Sequence, residues 1–189
     1  MSMTHWKSVE PHDVVSVFES ASESVSPVGY PVARVLKFVL ERMHVKKLVV
    51  YNDDRGTLME VLRSDDAFFE GIAQTTYTVA YPGVIKAFHW HKRQKDIWFF
   101  ASGMAQVVLY DMRRESPTYR QTDVLYMGAN NPLVVSIPEH VAHGYRVLGN
   151  EPAGLFYHTT SVYDPKAPDE ERLPFDSAEI GFDWKTRFR

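Results

Sequence analysis

Two histidines stand one residue apart in "GVIKAFHWHKRQKDIWFFASG", residues 83–103. An imidazole titrates near neutral pH, so His89 or His91 suits a general base, and paired imidazoles equally suit a transition metal. On a strand, residues two apart share a face. Ile85, Ala87, His89 and His91 are therefore expected on one side, with Phe88 and Trp90 on the other. Two imidazoles facing an interior need partners or a task, because burying unsatisfied polar groups is costly. The bland alternative is a pair of satisfied core histidines. Asp96 follows shortly after, and His143 closes "PEHVAH" further along the chain. Together they make three imidazoles and a carboxylate, the donors of a proton-transfer site or a metal site.

The rest of the chain must position these groups. Its 189 residues, 44% hydrophobic and 24% charged, suit one domain with a sizeable core. A net charge of −3 without a basic stripe gives no nucleic-acid or anionic-membrane partner. Cysteine is absent, which excludes disulfides and thiolate chemistry and fits a reducing cytoplasm. The N-terminus lacks the apolar run of a signal peptide, and no run of about 18 apolar residues is present to span a membrane.

Residues 1–44 are expected as a helical N-terminal extension, from the apolar spacing in "PHDVVSVFESASES" and "PVARVLKFVLERMH". From Val45 the period changes to two. Short strand-like runs follow at about ten-residue spacing, among them "VKKLVVY", "TLMEVLR", "AQTTYTVAY", "DIWFFAS" and "AGLFYHTTSVY". That pattern predicts an all-β sandwich or small barrel over residues 45–189, with the Pro-rich, acidic tail after Asp164 wrapping it.

The spacing Gly83, His89-x-His91, Asp96, Gly103 resembles the first cupin motif, with Asp for its usual Glu. Pro138 and His143 resemble the second, where His140 replaces a glycine. The resemblance implies a double-stranded β-helix, the cupin jelly-roll barrel. "DDRGTLMEVL", "GVIKAFHWH", "YDMRRESPTY", "IPEHVAHGYRVL", "YHTTSVYDP" and "IGFDW" are similar, in order, to the dTDP-4-dehydrorhamnose 3,5-epimerase family.

That resemblance implies a cytoplasmic homodimer that inverts centres beside the C4 ketone of a nucleotide-linked 4-keto-6-deoxy sugar, with no cofactor. By position it implies His89 as general base and Tyr157 as proton donor, with Tyr163 as a second active-site tyrosine. Arg55, Glu60, Gln74, His143 and Glu171 match ligand-contacting positions, and Lys86 replaces an arginine. Three departures stand out. Thr76 replaces an asparagine, Asp96 replaces a lysine, and "DWKTRFR" lacks the C-terminal Asp that pairs with the base. Asp96 is the carboxylate its spacing offers to orient His89 instead.

The same residues support other readings. His89, His91, Asp96 and His143 also form a cupin metal-ligand set, which would make the chain a metal-dependent enzyme. A sugar-binding cupin that has lost catalysis is the third. Tyr157 alone reads as a strand aromatic, Arg55 with Glu60 as a surface pair, and "KRQK" and "DEER" as solvated loops. The expectation is His89 as a base that turns over without a metal.

Overall fold

The computed structural model describes residues 40–186. The expected helical extension falls mostly outside the described residues. Its last residues, 40–43, form a turn closed by the Met43 N–H donating to the Leu40 carbonyl (2.9 Å). Leu40 is buried, and its N–H donates to Asp123 (2.8 Å), which fixes the entry into the β region.

Twelve strands follow: β1 (His44–Lys47), β2 (Tyr51–Asp53), β3 (Gly56–Leu58), β4 (Gln74–Ala80), β5 (Ile85–Trp90), β6 (Asp96–Ser102), β7 (Met104–Asp111), β8 (Thr122–Gly128), β9 (Leu133–Ile137), β10 (Val141–Leu148), β11 (Ala153–Thr159) and β12 (Glu171–Arg172). They form two five-stranded sheets, ordered β1-β9-β6-β11-β4 and β12-β5-β10-β7-β8, and the hairpin β2-β3. Every pairing is antiparallel. The arrangement is a jelly-roll-like sandwich whose sheets are not closed into a continuous barrel.

The main core lies between the sheets. Trp98, Phe100, Val135, Ile137 and Leu155 from one sheet meet Val107, Leu109, Leu125, Met127 and Tyr145 from the other. "DIWFFAS" does not alternate in polarity because both of its faces are covered. Trp98 and Phe100 point into the main core. Ile97 and Phe99 point outward against Leu48, Phe68, Met59, Val61 and Leu62. Those last residues explain a departure from the sequence reading. "TLMEVLR" is a strand only as far as Leu58; its apolar remainder serves better as a cover over β6 and β9.

The tail residues Leu173, Ile180 and Trp184 pack on the second sheet. Ile180 and Trp184 are buried against Phe88, Val108, Tyr110 and Ala142, on the side of that sheet away from the main core. The Leu173 and Phe88 main chains exchange hydrogen bonds of 2.9 and 3.0 Å.

Candidate functional site

Between the two sheets, where β4, β6 and β11 face β5 and β10, a cleft of about 1040 Å³ opens. Gln74, Thr76 and Thr78 line it from β4, because alternate residues of that strand turn inward while Thr75, Tyr77 and Val79 are exposed. His89, Tyr145 and Tyr157 also line it, and the tail from Ala167 to Leu173 forms one rim.

The register between β5 and β10 decides which side chains share a wall. His143 stands opposite His89, and Tyr145 opposite Lys86. Two steps on β10 thus match three on β5, which is a bulge with one extra residue on β5. The expectation that Ile85 and Ala87 would share a face with His89 is overturned by this bulge. Lys86 joins His89 on the cleft wall, opposite Tyr145 and bonded to Thr78, while Ile85 and Ala87, which also border the cleft, pack with Phe88 in the tail-covered cluster. Gly144 permits the close approach. A Cβ there would lie 2.3 Å from the Ala87 Cβ and 2.9 Å from the Lys86 carbonyl oxygen.

At the bottom of the cleft, four groups converge. Asp96 opens β6 in one sheet, His143 and His89 belong to the other, and His91 follows β5 directly. Asp96 Oδ2 lies 3.6 Å from His143 Nε2 and 4.0 Å from His89 Nε2; Oδ1 lies 3.6 Å from His91 Nε2. One nitrogen from each imidazole and a carboxylate oxygen all fall within 4.8 Å of one another. Asp96 also accepts hydrogen bonds from Trp98 Nε1 (3.1 Å) and Gln94 Nε2 (2.8 Å).

The electrostatics follow from this packing. Burial would raise the Asp96 carboxyl pKa, but His143, then His91 and His89, outweigh it and hold Asp96 well below the usual carboxylate range. Burial pushes His89 well below an ordinary histidine, with His143 adding to the effect and Asp96 opposing it. His89 is therefore an uncharged imidazole at neutral pH, with a lone pair available to take a proton. It is also the most open of the three imidazoles, with a side chain 26% exposed against 7% for His91 and 2% for His143.

Tyr157, on β11, is half-buried against the main core and lines the cleft on the wall opposite β5. Gln74 and Tyr163 are linked: the Tyr163 N–H donates to Gln74 Oε1 (2.9 Å), and Gln74 Nε2 donates to Thr76 (3.1 Å). Lys86 Nζ spans the cleft to Thr78 Oγ1 (3.0 Å). Arg55 and Glu60 are not brought into this cleft by their own chain. Arg55 pairs with Asp53, and Glu60 pairs with Arg63 at 3.0 Å, both at the surface. Glu171 turns away to Lys92 (2.6 Å), and the strand alternation of β12 puts its neighbours Glu170 and Arg172 on the cleft instead.

Other site residues were not singled out from the sequence. Trp98 was legible, because it stands two residues after Asp96 on the same strand face. Gln94 was hidden in "KRQK", which reads as a solvated turn. Here the Asp169 carboxylate accepts from the Arg93 and Gln94 N–H groups (2.9 and 3.1 Å) and folds that turn inward. Tyr145 carries a buried hydroxyl with no hydrogen-bond partner among the described residues, and burial raises its pKa to about 12. His140 replaces the motif glycine and adopts φ 58°, the left-handed conformation that favours glycine.

Residues 37–188 match the family model described as dTDP-4-dehydrorhamnose 3,5-epimerase. The spore coat polysaccharide biosynthesis protein SpsL of Bacillus subtilis is 51% identical over 151 residues, covering 80% of this chain and all of that protein. The probable low-salt glycan biosynthesis epimerase Agl13 of Haloferax volcanii is 39% identical, over 75% of this chain and 92% of its own length. Among solved structures, a dTDP sugar isomerase from Desulfovibrio desulfuricans G20 matches with a TM-score of 0.71 at 26% identity, covering 77% of this chain and 92% of that one. On the strength of the family match and these relatives, this chain belongs to the dTDP-4-dehydrorhamnose 3,5-epimerase family.

Proposed function

We propose that the chain is an epimerase of a nucleotide-linked 4-keto-6-deoxy sugar, inverting C3, C5 or both in deoxysugar or polysaccharide biosynthesis. The observation that carries this reading is the facing pair across the cleft, an uncharged His89 on β5 and Tyr157 on β11. The C4 ketone acidifies the hydrogens on its neighbouring carbons. His89 takes one of them, and the electrons of the broken C–H bond form an enolate on the C4 oxygen. Tyr157 returns a proton to the opposite face, which inverts the centre. Proton transfer from the imidazolium, through solvent, then restores the tyrosine. Asp96 steadies the transient positive charge on His89. Lys86, Arg93 and Arg172, all on the cleft, are cations available to a diphosphate.

The experiment is incubation with dTDP-4-keto-6-deoxyglucose in heavy water. Deuterium entering C3 or C5 supports the reading and identifies the centre that is deprotonated, and the configuration of the product identifies which is inverted. A substrate recovered without deuterium, from folded protein that binds it, overturns it.

A homodimer belongs to the same proposal. The outward face of β4 exposes Tyr77 and Val79, with Tyr81 just beyond, an apolar strip that a second copy would cover. Arg55 and Glu60, remote from their own cleft, then become candidates for the partner's. No helix among the described residues is long and apolar enough to cross a membrane; a chain without cysteine acting on a nucleotide sugar fits the cytoplasm. A monomeric mass across a wide concentration range removes the dimer.

A further inference from the structure

His91 and His143 share a feature that His89 lacks. The Nδ1–H of His143 donates to the Val141 carbonyl (2.8 Å), and the Nδ1–H of His91 donates to the Asp169 carbonyl. A carbonyl only accepts, so in both rings the proton sits on Nδ1 and a neutral ring presents its lone pair at Nε2. Each Nε2 points at a different oxygen of the same buried carboxylate, at 3.6 Å in both cases. That is beyond hydrogen-bond length, and His143 Nε2 is buried with no partner at all among the described residues.

Lone pairs facing a carboxylate in a buried site repel one another and leave polar atoms unsatisfied. A cation between them removes both penalties. Donor atoms about 2.1 Å from one ion stand about 3.0–3.4 Å from each other at right or tetrahedral angles, so the observed 3.6 Å pairs need little movement. Imidazoles held through Nδ1 by carbonyls are already oriented as metal ligands are. Gln94 Nε2 now occupies part of this space, 2.8 Å from Asp96 Oδ1 and 3.3 Å from His91 Nε2, a neutral donor between two acceptors.

We propose that His91, Asp96 and His143 bind one divalent transition-metal ion, with His89 outside the ligand set. His89 is further from the carboxylate (4.0 Å) and more exposed, and among the described residues nothing fixes its ring by a hydrogen bond. Two imidazoles and a carboxylate suit Zn(II), Mn(II), Fe(II), Co(II) or Ni(II). An ion there would supply positive charge beside the cleft, of the kind that polarises a carbonyl oxygen. His89 keeps its lone pair for the substrate. The inference stands on this geometry and does not depend on the epimerase reading; an ion held by Asp96 would offset the carboxylate charge beside His89 and favour its neutral form.

The test is binding rather than turnover. Chelator-treated full-length protein is titrated with Co(II) and Zn(II), following visible absorption for cobalt, calorimetric stoichiometry for both, and Tm. One ion per chain, a cobalt d–d band and a raised Tm are expected. Asp96→Asn and His143→Asn should each weaken binding by at least about 100-fold, and His89→Asn by no more than a few-fold. Gln94→Ala should bind at least as tightly as the wild type. Absence of stoichiometric binding by the wild type overturns the proposal. Equal loss in His89→Asn overturns the three-residue assignment. Deuterium exchange into substrate is scored separately, so either idea can fail without the other.

Discussion

Lys86 and His89 stand on the same wall of the cleft although three positions separate them. Opposite them, Tyr145 and His143 are two apart. The extra residue on β5 is tolerated because Gly144 has no side chain where Ala87 crosses it. Gly144→Ala would put a methyl 2.3 Å from the Ala87 Cβ and 2.7 Å from its Cα, both rigid neighbours. A loss of about 1–3 kcal/mol is expected for this overpacking, measured by urea unfolding. Turnover should fall further than stability accounts for, because the bulge sets the position of His89. An unchanged midpoint and rate would show that β5 adjusts freely.

Asp96→Asn removes the charge that faces all three imidazoles while keeping the shape. Turnover should fall by about 100-fold or more, the range for loss of acid–base assistance, with substrate affinity within a few-fold of wild type. Isothermal titration with dTDP and steady-state rates separate the two effects. Equal rates in the variant would leave His89 without need of this carboxylate.

Tyr157→Phe keeps the ring that packs on the core and removes the hydroxyl. Net epimerisation should drop by about 100- to 1000-fold, while His89 still exchanges substrate hydrogen with heavy water. Mass spectrometry of recovered substrate reads the exchange directly. Product formation at the wild-type rate would take Tyr157 out of the mechanism.

The base must be uncharged to act. Burial lowers the His89 pKa, so the acid limb of kcat/KM should have its midpoint below the 6.5 of an ordinary histidine. A midpoint at or above that value argues against a buried His89 as the essential base.

Asp111 gives a separate pH signature. It is buried and accepts from Arg113 Nε (2.8 Å), Ser116 (2.6 Å) and Thr118 (2.6 Å). Burial opposes ionisation, but these donors win and lower its pKa to about 2 from 3.8. Between those values the unfolded chain binds the proton and the folded one does not, so stability falls as pH falls through this window. Asp111→Asn, less stable at neutral pH, should lose less on acidification. Parallel acid curves for the two proteins would remove Asp111 as a source of the acid limb.

The sequence by itself determined the all-β pattern, the strand spacing, the inward histidine pair and the family. Each of these is written in local periodicity or in motif order, which survive without knowledge of contacts. The clustering of His143 and Asp96 with that pair was legible for the same reason. Tertiary structure decided the rest. The bulge reversed the facing of Ile85, Ala87 and Lys86, because register depends on the partner strand and on Gly144. "TLMEVLR" became a cover instead of a strand, because the outward face of "IWFF" needed burial. Glu170 and Arg172 displaced Glu171 from the cleft once β12 paired with β5. Which carbonyl holds each imidazole depends on chain segments brought together only by folding, and those contacts set where the lone pairs point.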